Sequence, residues 1–373
     1  MQRFKAIDLF CGAGGLSKGL FNSGYDIKLA VDIDQSALNT YRSNFSYCHV
    51  LQENIKNISG KEISNLTNIK KGDNFLLAGC PPCQGFSNIG KRNIADEKNE
   101  LVYDYVRIVH ELMPSFILME NVPGMSSGIG KHIFNNVVTL LGSNYHLEYA
   151  ILNAADYGVP QIRRRLVLHG VRNDVNDVLT RLYNVHKLDL LPIPTHSNDE
   201  NSALLPWVTV GESIMDLPSI KAGEKYETEK IHNHICRNLS NINIMRLREI
   251  HKHGGSRTCL PSGLVLECHK KLNVSYTDTY GVMSLNKPAP TMTAGCTVYS
   301  KGRFGHPTQD RAISIREAAR LQSFPDDFVF TGGINSMSLQ IGNAVPPNLA
   351  AASASKIYGF ITDYQKILDQ QYL

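Results

Sequence analysis

Apolar residues in the first half of the chain fall into short runs, each closed by glycine, asparagine or a charged side chain. Lys5–Phe10 (KAIDLF), Asp26–Val31 (DIKLAV), Phe75–Ala78 (FLLA), Phe116–Met119 (FILM) and Leu166–Val171 (LVLHGV) have the length and density of buried strands. Between them, Asp34–Asn44 and Leu101–Met113 carry helical spacing. Strands alternating with helices predict an α/β fold on a doubly wound, mostly parallel sheet. Such sheets bind ligands beyond the carboxyl ends of their strands.

From about Asn173 this rhythm is lost. Pro192, Pro194, Pro206, Pro218 and Pro261 punctuate an irregular stretch rich in histidine and asparagine. A smaller second domain is expected over 186–330, with 1–185 forming the first and 331–373 returning to it. Helical spacing resumes at Ser314–Phe324, stopped by Pro325, and at Leu349–Leu368 after Pro346-Pro347.

The 373 residues suffice for two domains, and 42% hydrophobic with 19% charged residues is ordinary for a globular protein. No stretch reaches the roughly 18 apolar residues of a membrane span. The N-terminal apolar run is too short for a signal peptide. A cytoplasmic protein without membrane association is expected, in which the eight cysteines are free thiols. The net charge of +4 suits nucleic acid without establishing it.

Candidate chemistry sits where strands end. Phe10–Leu16 (FCGAGGL) follows the first strand, and Gly12, Gly14 and Gly15 let the backbone approach a ligand. Asp32 closes the next strand, at the offset where an acid binds ribose hydroxyls. Ser17 stands where G-x-G-x-x-G would place a third glycine, which favours an adenosine ligand without phosphates over a pyrophosphate cofactor.

AGCPPCQGFS (78–87) follows a later strand. A redox pair would open a helix, but Gln84-Gly85-Phe86 has the composition of a loop. Zinc would need a second ligand pair at matching spacing, and none follows, so no metal is expected. Cys80 suits a small buried residue, while a thiol after Pro81-Pro82 would be held rigidly as a nucleophile. Glu120, in ENVPG, is placed for a general acid or a helix cap. In QIRRR, alternation puts Gln161, Arg163 and Arg165 on one side of an extended segment, or the run is simply solvated.

Taken in order, IDLFCGAGGL, GCPPCQGFS, MENVPG, QIRRRLVLHG, RAISIREAARLQSFPDDFVF and QIGNAVPP resemble the signature blocks of the DNA (cytosine-5) methyltransferases. They span the chain apart from about 175–275, and the single compact catalytic chain resembles bacterial restriction-modification enzymes. The resemblance implies a Rossmann-like sheet that binds S-adenosylmethionine and a target-recognition domain. It makes Cys83 the nucleophile toward C6 of a flipped-out cytosine, with Glu120 on N3 and the exocyclic amine. Arg165 would touch O2, and Arg163 would steady the catalytic loop or a phosphate. Phe10, Gly12, Gly14, Leu16, Asp32, Ile33, Pro82, Leu101, Asn343 and Val345 would line the cofactor. Asn54-Ile55 stands where relatives carry an aspartate near the adenine amine, so weaker cofactor binding is expected. Gln84 and Ser87 would touch the DNA backbone.

The implied partner is double-stranded DNA, with a restriction endonuclease as functional counterpart, and a monomer in the bacterial nucleoid is expected. One branch of the family methylates tRNA and carries a CFT-type motif that this chain lacks. A silent DNA-binding regulator is opposed by the intact Cys83, Glu120 and Arg165. A dinucleotide oxidoreductase is opposed by the loop spacing.

Overall fold

The computed structural model describes residues 3–82, 100–253, 255–270 and 278–371. Seven strands, β1 (Phe4–Leu9), β2 (Tyr25–Asp32), β3 (His49–Gln52), β4 (Leu76–Gly79), β5 (Phe116–Asn121), β6 (Tyr145–Asn153) and β7 (Arg164–Arg172), form one sheet. Its order is β3-β2-β1-β4-β5-β7-β6. Strands β1 to β5 pair in parallel, and only β7, between β5 and β6, runs against its neighbours. The mostly parallel α/β sheet expected from the sequence is therefore present.

Central strands lie between two helical layers, so both faces must be apolar. Ile7, Leu9, Leu77, Ile117 and Met119 are all buried to 0% exposure. On one side they share a core with α3 (Gly60–Thr67), α4 (Leu101–Leu112) and α5 (Lys131–Gly142), through Ile63, Val102, Val109, Phe134 and Leu141. The Tyr105 hydroxyl of α4 donates toward the carbonyls of Leu77 (3.3 Å) and Leu118 (3.2 Å), tying β4 to β5.

A separate helical group comprises α1 (Gly15–Asn22), α6 (Asn173–Tyr183) and the C-terminal α11 (Pro347–Gln371). At Gly19 an added Cβ would lie 2.4 Å from the Cβ of Ala350, so α1 and α11 touch nearly backbone to backbone. Helix α2 (Gln35–Asn44) starts at Asp34, whose carboxylate accepts from the amides of Ser36 and Ala37.

Backbone contacts divide the chain into two compact units. The first holds the chain to Asn153, Arg164–Pro194 and everything from Pro347; the second holds Ala154–Arg163 and Thr195–Pro346. By contact, 154–163 and 331–346 group with the second unit and 186–194 with the first. The second unit contains α7 (Val210–Ile214), α8 (Asn241–His253), α9 (Ile315–Leu321) and α10 (Ile334–Asn343). Its strands are two-residue ladders, Lys225–Tyr226 with His234–Ile235 and His196–Ser197 with Leu205–Pro206. Among the described residues no helix is long and apolar enough to cross a membrane.

Candidate active site

The glycine loop follows β1 as a strained turn. Phe10 has φ 62°, Gly12 φ 52° and Gly14 φ 97°, all in the left-handed region. A side chain at Gly14 would strike the Phe45 ring at 2.5 Å, whereas a Cβ at Gly12 would meet nothing within 4 Å. Gly14 is therefore demanded by packing below the loop, and Gly12 keeps its outer side clear. Asp32, at the end of β2, fastens the turn: its carboxylate accepts from the amides of Gly12 (2.8 Å) and Asp34 (2.9 Å). Burial raises the Asp32 pKa, and those two hydrogen bonds partly offset the rise. Beside it, Ile33 is 64% exposed, an apolar surface that a flat ring would cover.

Ser17, at the position of the absent third glycine, is fully buried. Its hydroxyl donates to Asp8 (2.6 Å) and lies 2.7 Å from the Tyr41 hydroxyl. Burial, the largest cause, pushes the Asp8 carboxyl up to about 7; the Ser17 hydrogen bond opposes this and Asp32 adds to it. A relay of polar groups thus fills the space under the loop.

Three more of the expected cofactor residues meet at one core: Ile55 is buried in it, and Phe10 and Leu101 pack against it. Leu16 is buried and Pro82 half-buried. Asn54 already has work of its own, since its side-chain oxygen accepts the Lys56 amide (3.1 Å) and caps the turn Ile55–Asn57. Asn343 ends α10 and Val345 is buried two residues later; both lie in the second unit.

Cys83, Gln84 and Ser87 lie outside the described residues. The backbone leading to them is pinned on two sides. The Cys80 amide donates to the Leu9 carbonyl (3.2 Å) on β1, and the Asn121 side-chain amide donates to the Pro81 carbonyl (2.9 Å). Sequence reasoning passed over Asn121; its position inside the ENV block, next to an acid at a strand end, was the available signal. The Cys80 thiol is held well above its usual pKa by burial first and by the Glu120 carboxylate second, which leaves it a poor thiolate.

Glu120, next to last in β5, is 9% exposed and pairs with Arg165, whose Nε lies 2.8 Å from Oε1. The antiparallel register makes this possible, because Glu120 faces Val167 and Asn121 faces Leu166, leaving Arg165 just beyond the end of β5. A carboxylate so held can accept or donate at a heterocycle without leaving a buried charge unpaired.

Arg163 behaves differently. Its guanidinium donates to the carbonyls of Met292 (2.7 Å), Gly342 (2.9 Å) and Ala344 (3.1 Å), all within the second unit. Among the described residues three carbonyls without ladder partners take its donors, while the loop after Cys83 that it is expected to steady lies outside them. Gln161 assists, receiving the Met292 amide at 2.7 Å.

A glycine turn after β1, an acid at the end of β2 and a reversed seventh strand define a methyltransferase fold. A family model for C-5 cytosine-specific DNA methylase matches residues 4–359. Type II methylase M.HgiDII of Herpetosiphon aurantiacus is 35% identical over 95% of each chain. Type II methyltransferase M.XorII of Xanthomonas oryzae pv. oryzae is 34% identical over 96% of this chain and 85% of its own. A crystal structure of a protein described as a DNA modification methyltransferase encoded within a prophage (E. coli) superposes with a TM-score of 0.69. It is 29% identical and covers 96% of this chain and 99% of its own. The chain belongs to the C-5 cytosine-specific DNA methylase family.

Proposed function

We propose that this enzyme methylates C5 of one cytosine within a specific duplex sequence, using S-adenosylmethionine, as the protective partner of a restriction endonuclease. The Glu120–Arg165 pair at the sheet's carboxyl edge, beside the pinned backbone that leads into Cys83, carries this reading. A cytosine must leave the helix to be reached, at a cost of a few kcal/mol. The Cys83 thiolate forms an Sγ–C6 bond, which turns C5 into an enamine-like nucleophile. Glu120 engages N3 and the exocyclic amine, and Arg165 holds the carboxylate and meets O2. Once the C5–methyl bond has formed, loss of the C5 proton and cleavage of Sγ–C6 restore the aromatic ring. Arg163 serves as a positioning residue for Met292 and Gly342–Ala344.

The residues present fit the methyl donor. The clear space outside Gly12, the acid at Asp32 and the bare face of Ile33 suit an adenosine without phosphates. Bound there, S-adenosylmethionine supplies an electrophilic methyl on a sulfonium. Phe10, Ile55, Leu101 and Pro82 supply apolar wall, and Leu16 supports the loop from below. Asn343 and Val345 complete the set, and Gln84 and Ser87 contact the flanking DNA. The second unit reads the target sequence.

Transfer of labelled methyl from S-adenosylmethionine to long mixed-sequence duplex DNA, with tRNA as the comparison, tests the reading. DNA labelling that disappears in Cys83→Ala and persists in Cys80→Ala is expected. Labelling of tRNA alone, or unchanged turnover in Cys83→Ala, would overturn it.

A further inference from the structure

Most basic side chains of the second unit that could meet a phosphate are occupied within that unit. Arg237 holds Thr297 and Asn335, Arg246 holds Asn243 and the Leu264 carbonyl, and Arg248 pairs with Asp310. Lys252 and Lys270 pair with Glu249 and Glu267. Lys225 and Lys230 are exposed, but Glu224, Glu227 and Glu229 alternate with them along the same hairpin and balance their charge.

Lys221 and Lys287 are also exposed without an ion pair among the described residues, but Lys301 is set apart by its stem. It is exposed, and among the described residues it has no ion-pair partner. Its stem is laid across Gly295: a Cβ there would fall 2.4 Å from Lys301 Cδ and 3.4 Å from its Cβ. Two residues on, the Arg303 stem crosses Gly281 in the same manner, 2.8 Å from where a Cβ would stand, and Arg303 pairs with Asp278.

The segment that carries Lys301 is held at its upstream end and by its own turns. Upstream, Gln161 and Arg163 fix Met292, and Gly342 packs so tightly that a Cβ would lie 2.2 Å from the Thr293 carbonyl carbon. Within it, the amides of Cys296, Val298 and Lys301 each donate to the carbonyl three residues back, at 2.9 Å. Tyr299 is buried beneath, while Ala294, Ser300 and Lys301 face solvent. A long cationic side chain whose stem is already packed loses less rotamer entropy on meeting an anion. Small neighbours let a bulky polyanion come close.

We infer that Lys301, its stem seated on Gly295, is a phosphate contact by which the second unit grips duplex DNA. This rests on the reading that the second unit engages DNA. Gly295 has no chemistry of its own in this scheme; it exists to seat the lysine.

The test measures binding of the full-length protein to a fluorescent mixed-sequence duplex across a salt series, which requires no knowledge of the recognition sequence because non-specific affinity is set by phosphates. Lys301→Ala should weaken binding roughly threefold to tenfold and lower the log–log salt slope by about 0.9, the signature of one lost phosphate contact. Lys301→Arg should retain both. Gly295→Ala should reproduce much of the loss by displacing a flexible stem, and the Gly295→Ala/Lys301→Ala double variant should be no weaker than Lys301→Ala alone. Lys230→Ala should match the wild type. If the wild type binds DNA and Lys301→Ala leaves affinity and slope unchanged, the inference is overturned while the methyltransferase reading stands. If Gly295→Ala and Lys301→Ala add, the seat is wrong. Failure of the wild type to bind any duplex would strike at the broader reading instead.

Discussion

In the first unit, main-chain carbonyls find partners along parallel strands and side chains are left to fill an apolar core; in the second, carbonyls of irregular loops are met by buried guanidinium groups. Arg163, Arg311 and Arg316 are among the largest fully buried side chains, and all three lie in the second unit. Arg316 donates to the carbonyls of His232, Pro325 and Phe328. Arg311 donates to the Ile220 carbonyl and forms a two-pronged pair with Glu317, at 2.7 Å on each side. Arginine suits this task because its planar fork presents five donors and stays charged. A sheet stacks its strands in one repeating geometry, whereas guanidinium-held loops can vary without losing their frame. The part of the molecule assigned to sequence reading is the part built this way.

The largest effect should come from stranding one partner of the buried pair. Arg311→Met leaves Glu317 as an uncompensated buried carboxylate and should cost about 3–5 kcal/mol in chemical denaturation. Arg311→Met with Glu317→Leu should recover most of that loss; a double variant worse than the single would mean the pair does more than balance itself. Next comes Leu77→Ala in the first unit, where removing a fully buried strand residue should cost about 2–4 kcal/mol with no charged group involved. If instead it proved as mild as a surface change, the contrast between the two modes of support would fail.

A smaller effect, dependent on pH, belongs to Asp8. Its pKa is raised on folding, to about 7 from an ordinary carboxylate value, so the folded state holds the proton more tightly. The stability from this group is full below about pH 4 and is lost as pH rises through about 7. Asp8→Asn, which keeps an acceptor for Ser17 but cannot ionise, should raise the melting temperature relative to wild type near pH 8 and change it little near or below about pH 4. An equal shift at both values would show that Asp8 does not titrate.

What could be read from the sequence follows the same division. Strands β1, β2, β4, β5 and β7 announced themselves because burial on both faces leaves continuous apolar runs. β3 and β6, at the two edges, were missed because half-exposed strands mix polar and apolar residues, as in YHLEYAILN. Helix α8 was missed because only Leu247 and Ile250 on it are buried, too few to mark a face. Glu120 and Arg165 stood out by their blocks, and the fold pairs them. Alternation and the resemblance both group Arg163 with Arg165, yet by contact the division between units falls between Arg163 and Arg164. The turn that Asn54 caps is not legible in the sequence, since a single turn leaves no periodic trace.

The central claim is that Cys83, rather than Cys80, bonds to the ring activated beside Glu120 and Arg165. It is tested most directly by incubating the enzyme and S-adenosylmethionine with long duplex DNA in which 5-fluorocytosine replaces cytosine, then mapping the modified peptide by mass spectrometry. Fluorine blocks the final elimination, so the account predicts a stable adduct on Cys83 that depends on the methyl donor. An adduct on Cys80, or efficient methylation of ordinary DNA with no adduct on the fluorinated one, would contradict it.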